Sequence, residues 1–260
     1  MKLYHEVKGN QNKSIIFIHG ISQSTVTWDD VISNNELQDR YTLITLDLPG
    51  HGNSFRSEEP DKDYTFNRIA KHIANLINPF SEDEYIIVAT SLGTNIAAET
   101  LPLLKNCKGF FLIGATIIGH NYSPASFLQP NPNAAVAFQS YPSDEQLELY
   151  LNDVVQDSKK EKYKQTFLST DPFFRQTISN IVANSDWTDE IQNITSINLP
   201  VAVVYGYDDK IVVTQYLTNS LLNKWRNKII MIPDAGHSVQ LQQPLITAQL
   251  IHEFASDCFK

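Results

Sequence analysis

The sequence lacks the features of disulfide-rich, membrane-spanning and nucleic-acid-binding proteins. Its two cysteines, Cys107 and Cys258, form no motif with each other, so we expect free thiols. No run reaches the roughly 20 apolar residues that a membrane span requires. Acidic residues outnumber basic ones by 29 to 20, and the net charge is −9. Nucleic acids and anionic membrane surfaces both require basic patches, so we expect neither as a partner.

Signals for a cofactor, a metal or export are also missing. There is no Cys/His cluster with zinc spacing and no glycine-rich phosphate loop, so we expect no metal and no cofactor. The first residues, Met-Lys-Leu-Tyr-His-Glu-Val, do not contain the apolar core of a secretory signal. Together with the unpaired cysteines, this predicts a cytoplasmic protein. The expected partner is a small-molecule substrate.

Glycine is absent from one long internal stretch. None of the ten glycines lies between His120 and Tyr205. Within this stretch, residues 145–155, 163–168 and 173–182 have helical patterns. We therefore predict an all-helical lid over residues 120–199, inserted before a strand at 201–205. The remaining residues, 1–119 and 200–260, are predicted to form one core.

Outside the lid, short apolar runs alternate with helical patterns. Strands are predicted at residues 3–7, 15–18, 43–46, 86–89, 110–113, 201–205 and 229–232. Helices are predicted at residues 28–37, 65–77, 214–225 and 244–259. Continuously apolar strands are buried on both faces, which is typical of parallel sheets covered by helices. The predicted fold class is therefore α/β, with a mostly parallel sheet flanked by helices.

The most informative motif is Ala-Thr-Ser-Leu-Gly at residues 89–93. It follows a run of β-forming residues and precedes a helical pattern. A serine at such a strand-to-helix turn is typical of a nucleophile elbow, in which the hydroxyl projects from the sheet edge. Ala89 stands where the pattern usually has glycine. We interpret it as a small residue that is tolerated where strand and helix pack closely.

A serine hydroxyl is a weak nucleophile unless a base activates it and an acid orients that base. His237 follows the last predicted strand, and Asp209 follows the strand before it. The chain order Ser91, Asp209, His237 matches that of a known class of hydrolytic triads. We predict that these three residues are catalytic. Asp208 is the alternative acid because it directly precedes Asp209.

Together with His19-Gly20 and the segment Asp-Leu-Pro-Gly-His-Gly-Asn-Ser at 47–54, these motifs make the chain resemble α/β-hydrolases over essentially its whole length. The resemblance implies an α/β-hydrolase fold and a lidded serine hydrolase, similar to esterases and lactonases. It also implies an oxyanion hole formed by the backbone N–H groups of Ile21 and Leu92. The chain begins at what is usually the second strand, which implies a sheet one strand shorter than usual.

Other candidate residues have less specific signals. As substrate-contacting residues of an apolar pocket we predict His120, Phe127, Phe138, Phe174 and Trp187. We expect His19, His51 and Asp47 to organise loops, and His5, His72 and His252 to be structural or exposed. Arg175 is expected at the surface, with binding of a substrate carboxylate as the alternative.

The predicted reaction is hydrolysis of a small to medium, mostly apolar ester or lactone through an acyl-enzyme on Ser91. One alternative is hydrolysis of a carbon–carbon bond in a dienoate-type substrate. Relatives with that activity often have tryptophan after the catalytic histidine, whereas this chain has Ser238. A second alternative is a small-molecule receptor that retains the triad and turns over slowly. A carboxylate nucleophile is excluded by the serine at position 91.

Overall fold

A computed structural model describes residues 2–80 and 84–260. Its strands are β1 (His5–Lys8), β2 (Lys13–Ile18), β3 (Thr42–Leu46), β4 (Glu84–Thr90), β5 (Cys107–Ile113), β6 (Val201–Gly206) and β7 (Lys224–Ile232). They form one seven-stranded sheet in the order β1-β3-β2-β4-β5-β6-β7. Only the β1–β3 pair is antiparallel among these neighbours. The predicted, mostly parallel α/β sheet is confirmed.

Helices cover both faces of the sheet. The α-helices are α1 (Asp29–Ile32), α2 (Asn35–Arg40), α3 (Pro60–Asp63), α4 (Phe66–Ile77), α5 (Leu92–Thr100), α6 (Pro124–Phe127), α7 (Asp144–Val154), α8 (Lys160–Ser169), α9 (Pro172–Asn184), α10 (Glu190–Thr195), α11 (Val239–Gln242) and α12 (Pro244–Cys258). In β2, Ile15 and Phe17 pack into one hydrophobic cluster, whereas Ile16 and Ile18 pack into the other. This alternation explains why the central strands are apolar at every position.

The segment between β5 and β6 contains α6 to α10 and a 3₁₀ helix, Pro132–Phe138. Three of the predicted helices correspond to α7, α8 and α9. The apolar side chains of these helices belong to the same hydrophobic cluster as those of α4 and α5. The segment therefore packs on the α4–α5 side of the sheet.

Two predicted helices are wrong. Residues 28–37 do not form one helix, because Asn34 is extended and its side chain accepts a hydrogen bond from Leu37 N–H, which starts α2 as a separate helix. Residues 214–225 form a series of turns, and β7 begins at Lys224. The Tyr216 hydroxyl donates to the carbonyl oxygens of Ala115 and Ile117, which ties the turns to the loop after β5. These long-range contacts override the local helical pattern.

Both cysteines are free, as expected. Within the described ranges, no helix combines the length and the apolar character that a membrane crossing requires.

Candidate active site

The three residues of the predicted triad lie after three parallel strands. Ser91 follows β4, Asp209 follows β6 and His237 follows β7. The carboxyl ends of parallel strands meet at one edge of the sheet, where ligands bind in open α/β folds. The fold therefore brings together residues that are far apart in the sequence.

The backbone at Ser91 has the strained geometry of a tight strand-to-helix turn. Ser91 has φ 50° and ψ −129°, a combination that is rare for a residue other than glycine. The Ser91 N–H donates to the Ile113 carbonyl oxygen, and the Ser91 carbonyl oxygen accepts a hydrogen bond from the Thr94 hydroxyl. At Gly93, an added Cβ atom would lie 2.7 Å from the Ile18 carbonyl oxygen. Only glycine therefore allows α5 to start this close to β2.

Hydrogen bonds connect the three side chains in the predicted order. His237 Nε2 lies 3.0 Å from Ser91 Oγ, and His237 Nδ1 lies 3.0 Å from Asp209 Oδ2. His237 is 4% exposed and Asp209 is 7% exposed. An Nδ1–H donated to the carboxylate leaves Nε2 free to accept the serine proton, which is the arrangement that general-base catalysis requires.

The Asp209 carboxylate has two further donors. Its Oδ1 accepts hydrogen bonds from the N–H groups of Ile211 (2.8 Å) and Val212 (3.0 Å). Burial raises the pKa of Asp209, but the charge and hydrogen bond of His237 and these two N–H groups outweigh it and lower the pKa. The alternative acid, Asp208, is exposed. The geometry therefore favours Asp209.

The two residues predicted to form the oxyanion hole border the same cavity as Ser91. Leu92 is the first residue of α5, and the N–H groups of a first helical turn have no acceptor within the helix. Ile21 follows Gly20, where an added Cβ atom would lie 3.0 Å from Ser91 Cβ. The loop with Ile21 therefore runs directly past the nucleophile.

Two buried histidines fix the loops around this site. His19 Nε2 accepts from Leu48 N–H, and His51 Nε2 accepts from Ser22 N–H. Burial lowers the pKa of both imidazoles, although Asp47 partly opposes the shift at His19. Asp47 itself accepts hydrogen bonds from loop N–H groups at Thr25 and Asn53. These side chains hold loops, as the sequence predicted, and donate to no group of the triad.

A mostly apolar cavity opens onto Ser91 and His237. Its wall contains Ile21, Phe66, Ser91, Leu92, Asn95, Thr116, Ile118, Pro124, Phe127, Leu128, Ala134, Ala137, Phe138, Tyr150, Val182, Trp187, Ile211 and His237. The wall residues that the segment from α6 to α9 contributes are far apart in the sequence, and no local sequence signal identifies most of them.

Three of the five predicted substrate-contacting residues border this cavity, namely Phe127, Phe138 and Trp187. His120 and Phe174 do not, which corrects those two assignments. His120 is exposed because it lies on the turn before α6. Its Nδ1 lies 3.9 Å from Asp189 Oδ2. Phe174 is fully buried and packs edge-on against His51, with a ring-centroid distance of 4.4 Å.

A buried polar network that the sequence did not reveal includes Asn95 and Thr116 of the cavity wall and extends behind it. The Asn95 amide donates to the Thr116 carbonyl oxygen and to Glu190 Oε2, and Asn95 Oδ1 accepts from the Thr116 hydroxyl. Ile118 N–H also donates to Glu190 Oε2. Asn95 lies one helical turn after Ser91, and this spacing was the available signal. Glu190 had none.

Arg175 is neither at the surface nor in the cavity wall. It is 3% exposed, and its guanidinium donates to the carbonyl oxygens of Gln139, Ser140 and Phe167. Burial lowers its pKa to about 10, although the Asp171 carboxylate partly opposes the shift. The sequence predicted a surface position for Arg175. This prediction is wrong, because the guanidinium is buried where it donates to these carbonyl groups.

Comparisons with known proteins agree with the fold. The 2-(acetamidomethylene)succinate hydrolase of Mesorhizobium japonicum is 24% identical, over 92% of this chain and 87% of that protein. The solved structure of the N-acyl homoserine lactonase AidH complexed with N-butanoyl homoserine has a TM-score of 0.90 at 21% identity. It covers 98% of this chain and 93% of that one. A putative aryl esterase from Burkholderia cenocepacia has a TM-score of 0.81 at 19% identity, over 99% and 95% of the two chains.

No cluster of three or more potential metal ligands occurs in residues 2–80 and 84–260.

The sequence profile of the alpha/beta hydrolase fold matches residues 13–244, which include every strand but β1 and all three residues of the predicted triad. The chain belongs to the alpha/beta hydrolase fold family.

Proposed function

We propose that the protein is a serine hydrolase that cleaves an uncharged, mostly apolar ester or lactone. The observation that carries the proposal is the Ser91–His237–Asp209 hydrogen-bond chain, whose nucleophile faces an apolar cavity. Proteins with a similar fold include one described as a putative aryl esterase and an N-acyl homoserine lactonase, which supports the substrate class by analogy.

In the proposed mechanism, His237 Nε2 accepts the Ser91 proton as Oγ attacks the substrate carbonyl. The backbone N–H groups of Ile21 and Leu92 stabilise the negative charge on the tetrahedral intermediate. His237 then protonates the leaving oxygen and an acyl-enzyme forms. Water activated by the same imidazole hydrolyses the acyl-enzyme and releases the carboxylic acid.

The lack of fixed charge in the cavity wall supports an uncharged substrate. Among the described residues that line the cavity, none is Asp, Glu, Lys or Arg. Burial of a carboxylate without a cationic partner is strongly unfavourable. The dienoate substrate of a carbon–carbon bond hydrolase carries such a carboxylate. Among the described residues Arg175 is the one buried arginine, and it already donates to main-chain carbonyl groups. An ester or lactone therefore fits better than a dienoate.

We further propose that residues 120–199 act as a lid. Within this segment, Phe127, Phe138, Tyr150 and Trp187 contribute side chains to the cavity wall. The main chain is anchored beside the triad by hydrogen bonds between Gln129 N–H and the Ile211 carbonyl, and between Val213 N–H and the Phe127 carbonyl. This segment thus covers the site and shapes the acyl pocket.

The proposal is tested with Ser91→Ala and a fluorophosphonate probe, with nitrophenyl butyrate and γ-caprolactone as substrates. We expect the wild-type protein to be labelled and to turn over many times. The variant should not be labelled, and its kcat/KM should fall by about 10³-fold or more. Ser33→Ala, at an exposed position, is the matched control and should behave like the wild type. A single burst without steady-state turnover would instead support a receptor, and labelling of Ser91→Ala would refute the nucleophile assignment.

A further inference from the structure

Tyr150 places a phenol in the wall of the catalytic cavity. It lies on α7 and is 5% exposed, with its ring 6.0 Å from the ring of Phe167. It borders the same cavity as Ser91 and His237. Within the part of the chain that the structure describes, the Tyr150 hydroxyl makes no hydrogen bond to the protein.

The other polar groups from the cavity wall differ from Tyr150 in this respect. The amide of Asn95 and the hydroxyl of Thr116 bond to each other and to neighbouring groups. The Tyr150 hydroxyl is not fully enclosed, so it keeps accessible surface through which it can bond to water or to a ligand. A hydroxyl at the wall of a ligand cavity finds its partner in the ligand.

The neighbours of Tyr150 place it on the side of the loop that carries Ile21. Tyr163, on α8, is close enough to Tyr150 to interact with it electrostatically. The Tyr163 hydroxyl accepts a hydrogen bond from the Gln23 amide, and Gln23 Oε1 accepts from Gly20 N–H at 3.1 Å. Tyr150, Ile21 of this loop and Ser91 border one cavity.

The electrostatics of the site make this phenol a hydrogen-bond donor. Burial raises the pKa of Tyr150, and the charge of Arg175 only partly opposes the shift. The hydroxyl is therefore protonated at neutral pH. Because its surroundings are apolar, a hydrogen bond from it to a substrate oxygen is stronger than the same bond in water.

We propose that Tyr150 is a further catalytic residue, whose hydroxyl donates a hydrogen bond to an oxygen of the scissile ester or lactone group. This inference rests on the proposed hydrolase function. No proton leaves the phenol in the step. The bond strengthens as negative charge develops on the substrate oxygen, and so stabilises the transition state more than the bound substrate.

The test compares Tyr150→Phe with the wild type on nitrophenyl hexanoate and γ-caprolactone. The substitution keeps the ring and its contact with Phe167. We expect kcat/KM to fall about 10- to 100-fold on both substrates, mainly through kcat. The fluorophosphonate probe should still label the variant. Its melting temperature and the shape of its pH–rate profile should equal those of the wild type.

Tyr85→Phe is the matched control. The Tyr85 hydroxyl makes no hydrogen bond either among the described residues, but it is fully enclosed at the start of β4 and does not border the cavity. We expect its kinetics to equal those of the wild type. A folded Tyr150→Phe variant with kcat/KM within twofold of the wild type on both substrates would overturn the role of Tyr150 alone. Failure of the proposed function is distinct, since wild-type protein would then show neither labelling nor turnover.

Discussion

Asp209 shows how single residues set the chemistry of this site. One carboxylate oxygen accepts from His237 and the other accepts from two backbone N–H groups. The carboxylate is therefore held in one orientation, and its hydrogen bond fixes which nitrogen of the imidazole carries the proton. Asp208, one residue earlier, is exposed and makes no such contact among the described residues.

Asp209→Asn tests this assignment. An amide is nearly isosteric with the carboxylate, but it cannot stabilise the imidazolium and allows the wrong tautomer. We expect kcat/KM for nitrophenyl butyrate to fall by about 10²- to 10⁴-fold, with little change in the far-ultraviolet circular dichroism spectrum. Asp208→Asn is the control and should retain wild-type activity. The reverse pattern, with Asp208→Asn the inactive variant, would move the acid to position 208.

At the scale of elements, the site depends on how closely β4, α5 and β2 approach one another. Ala89 is fully buried near the end of β4, where it is paired with Ile18 of β2 and Leu112 of β5. Its neighbours belong to the cluster that also contains α5. The family pattern usually has glycine here, and the structure shows room for a residue as small as alanine.

Substitutions at Ala89 should therefore depend on side-chain volume. Ala89→Leu overpacks the elbow, and we expect it to cost about 1–3 kcal/mol of unfolding free energy and most of the activity. Ala89→Gly should cost only about 0.5–1 kcal/mol, through greater backbone freedom, and should keep the activity. Thermal unfolding and nitrophenyl butyrate kinetics on both variants measure this. An Ala89→Leu variant with unchanged melting temperature and activity would contradict the packing argument.

The elements that the sequence predicted correctly are those whose pattern is local. The strands around the elbow are continuous apolar runs, and α4 has its cap at Thr65 and an apolar stripe, so both were recognisable. The turns at 214–220 were not recognisable, because the Tyr216 hydroxyl donates to carbonyl groups about a hundred residues away in the sequence. The residues of the proposed triad were recognisable for the same reason as the strands, since each follows a strand end. Only part of the cavity wall was predicted, because helix packing determines which other side chains reach it.

At the scale of the whole molecule, a buried contact joins the segment 120–199 to α5, the helix that follows Ser91. Glu190, the first residue of α10, is fully buried and accepts hydrogen bonds from Asn95 on α5 and from Ile118 N–H. Its second oxygen, Oε1, has no partner among the described residues. α10 and α5 pack together at this point. The helical segment and the core therefore share a buried acid.

Glu190 should make the stability of the protein depend on pH. Burial raises its pKa well above the usual range, and the nearby acids Glu99 and Asp189 contribute in the same direction, against the hydrogen bonds from Ile118 and Asn95. Above the pKa of an unfolded glutamate, about 4.3, the unfolded chain loses this proton while the folded protein keeps it. The unfolded state then binds fewer protons, so Glu190 reduces stability increasingly as pH rises above about 4.3, until pH reaches the raised pKa of the folded protein.

Glu190→Gln removes this ionisation while its amide oxygen can still accept from Asn95 and Ile118. Any fixed difference between the two side chains contributes equally at every pH. We therefore expect the melting temperature of the variant, relative to the wild type, to be higher at pH 8 than at pH 4.5 by about 2–4 °C or more. Glu58→Gln, at an exposed loop position, should show no such trend. If the two pH values gave the same difference for Glu190→Gln, the carboxyl group would be charged in the folded protein, and its contact with Asn95 would be that of a buried anion.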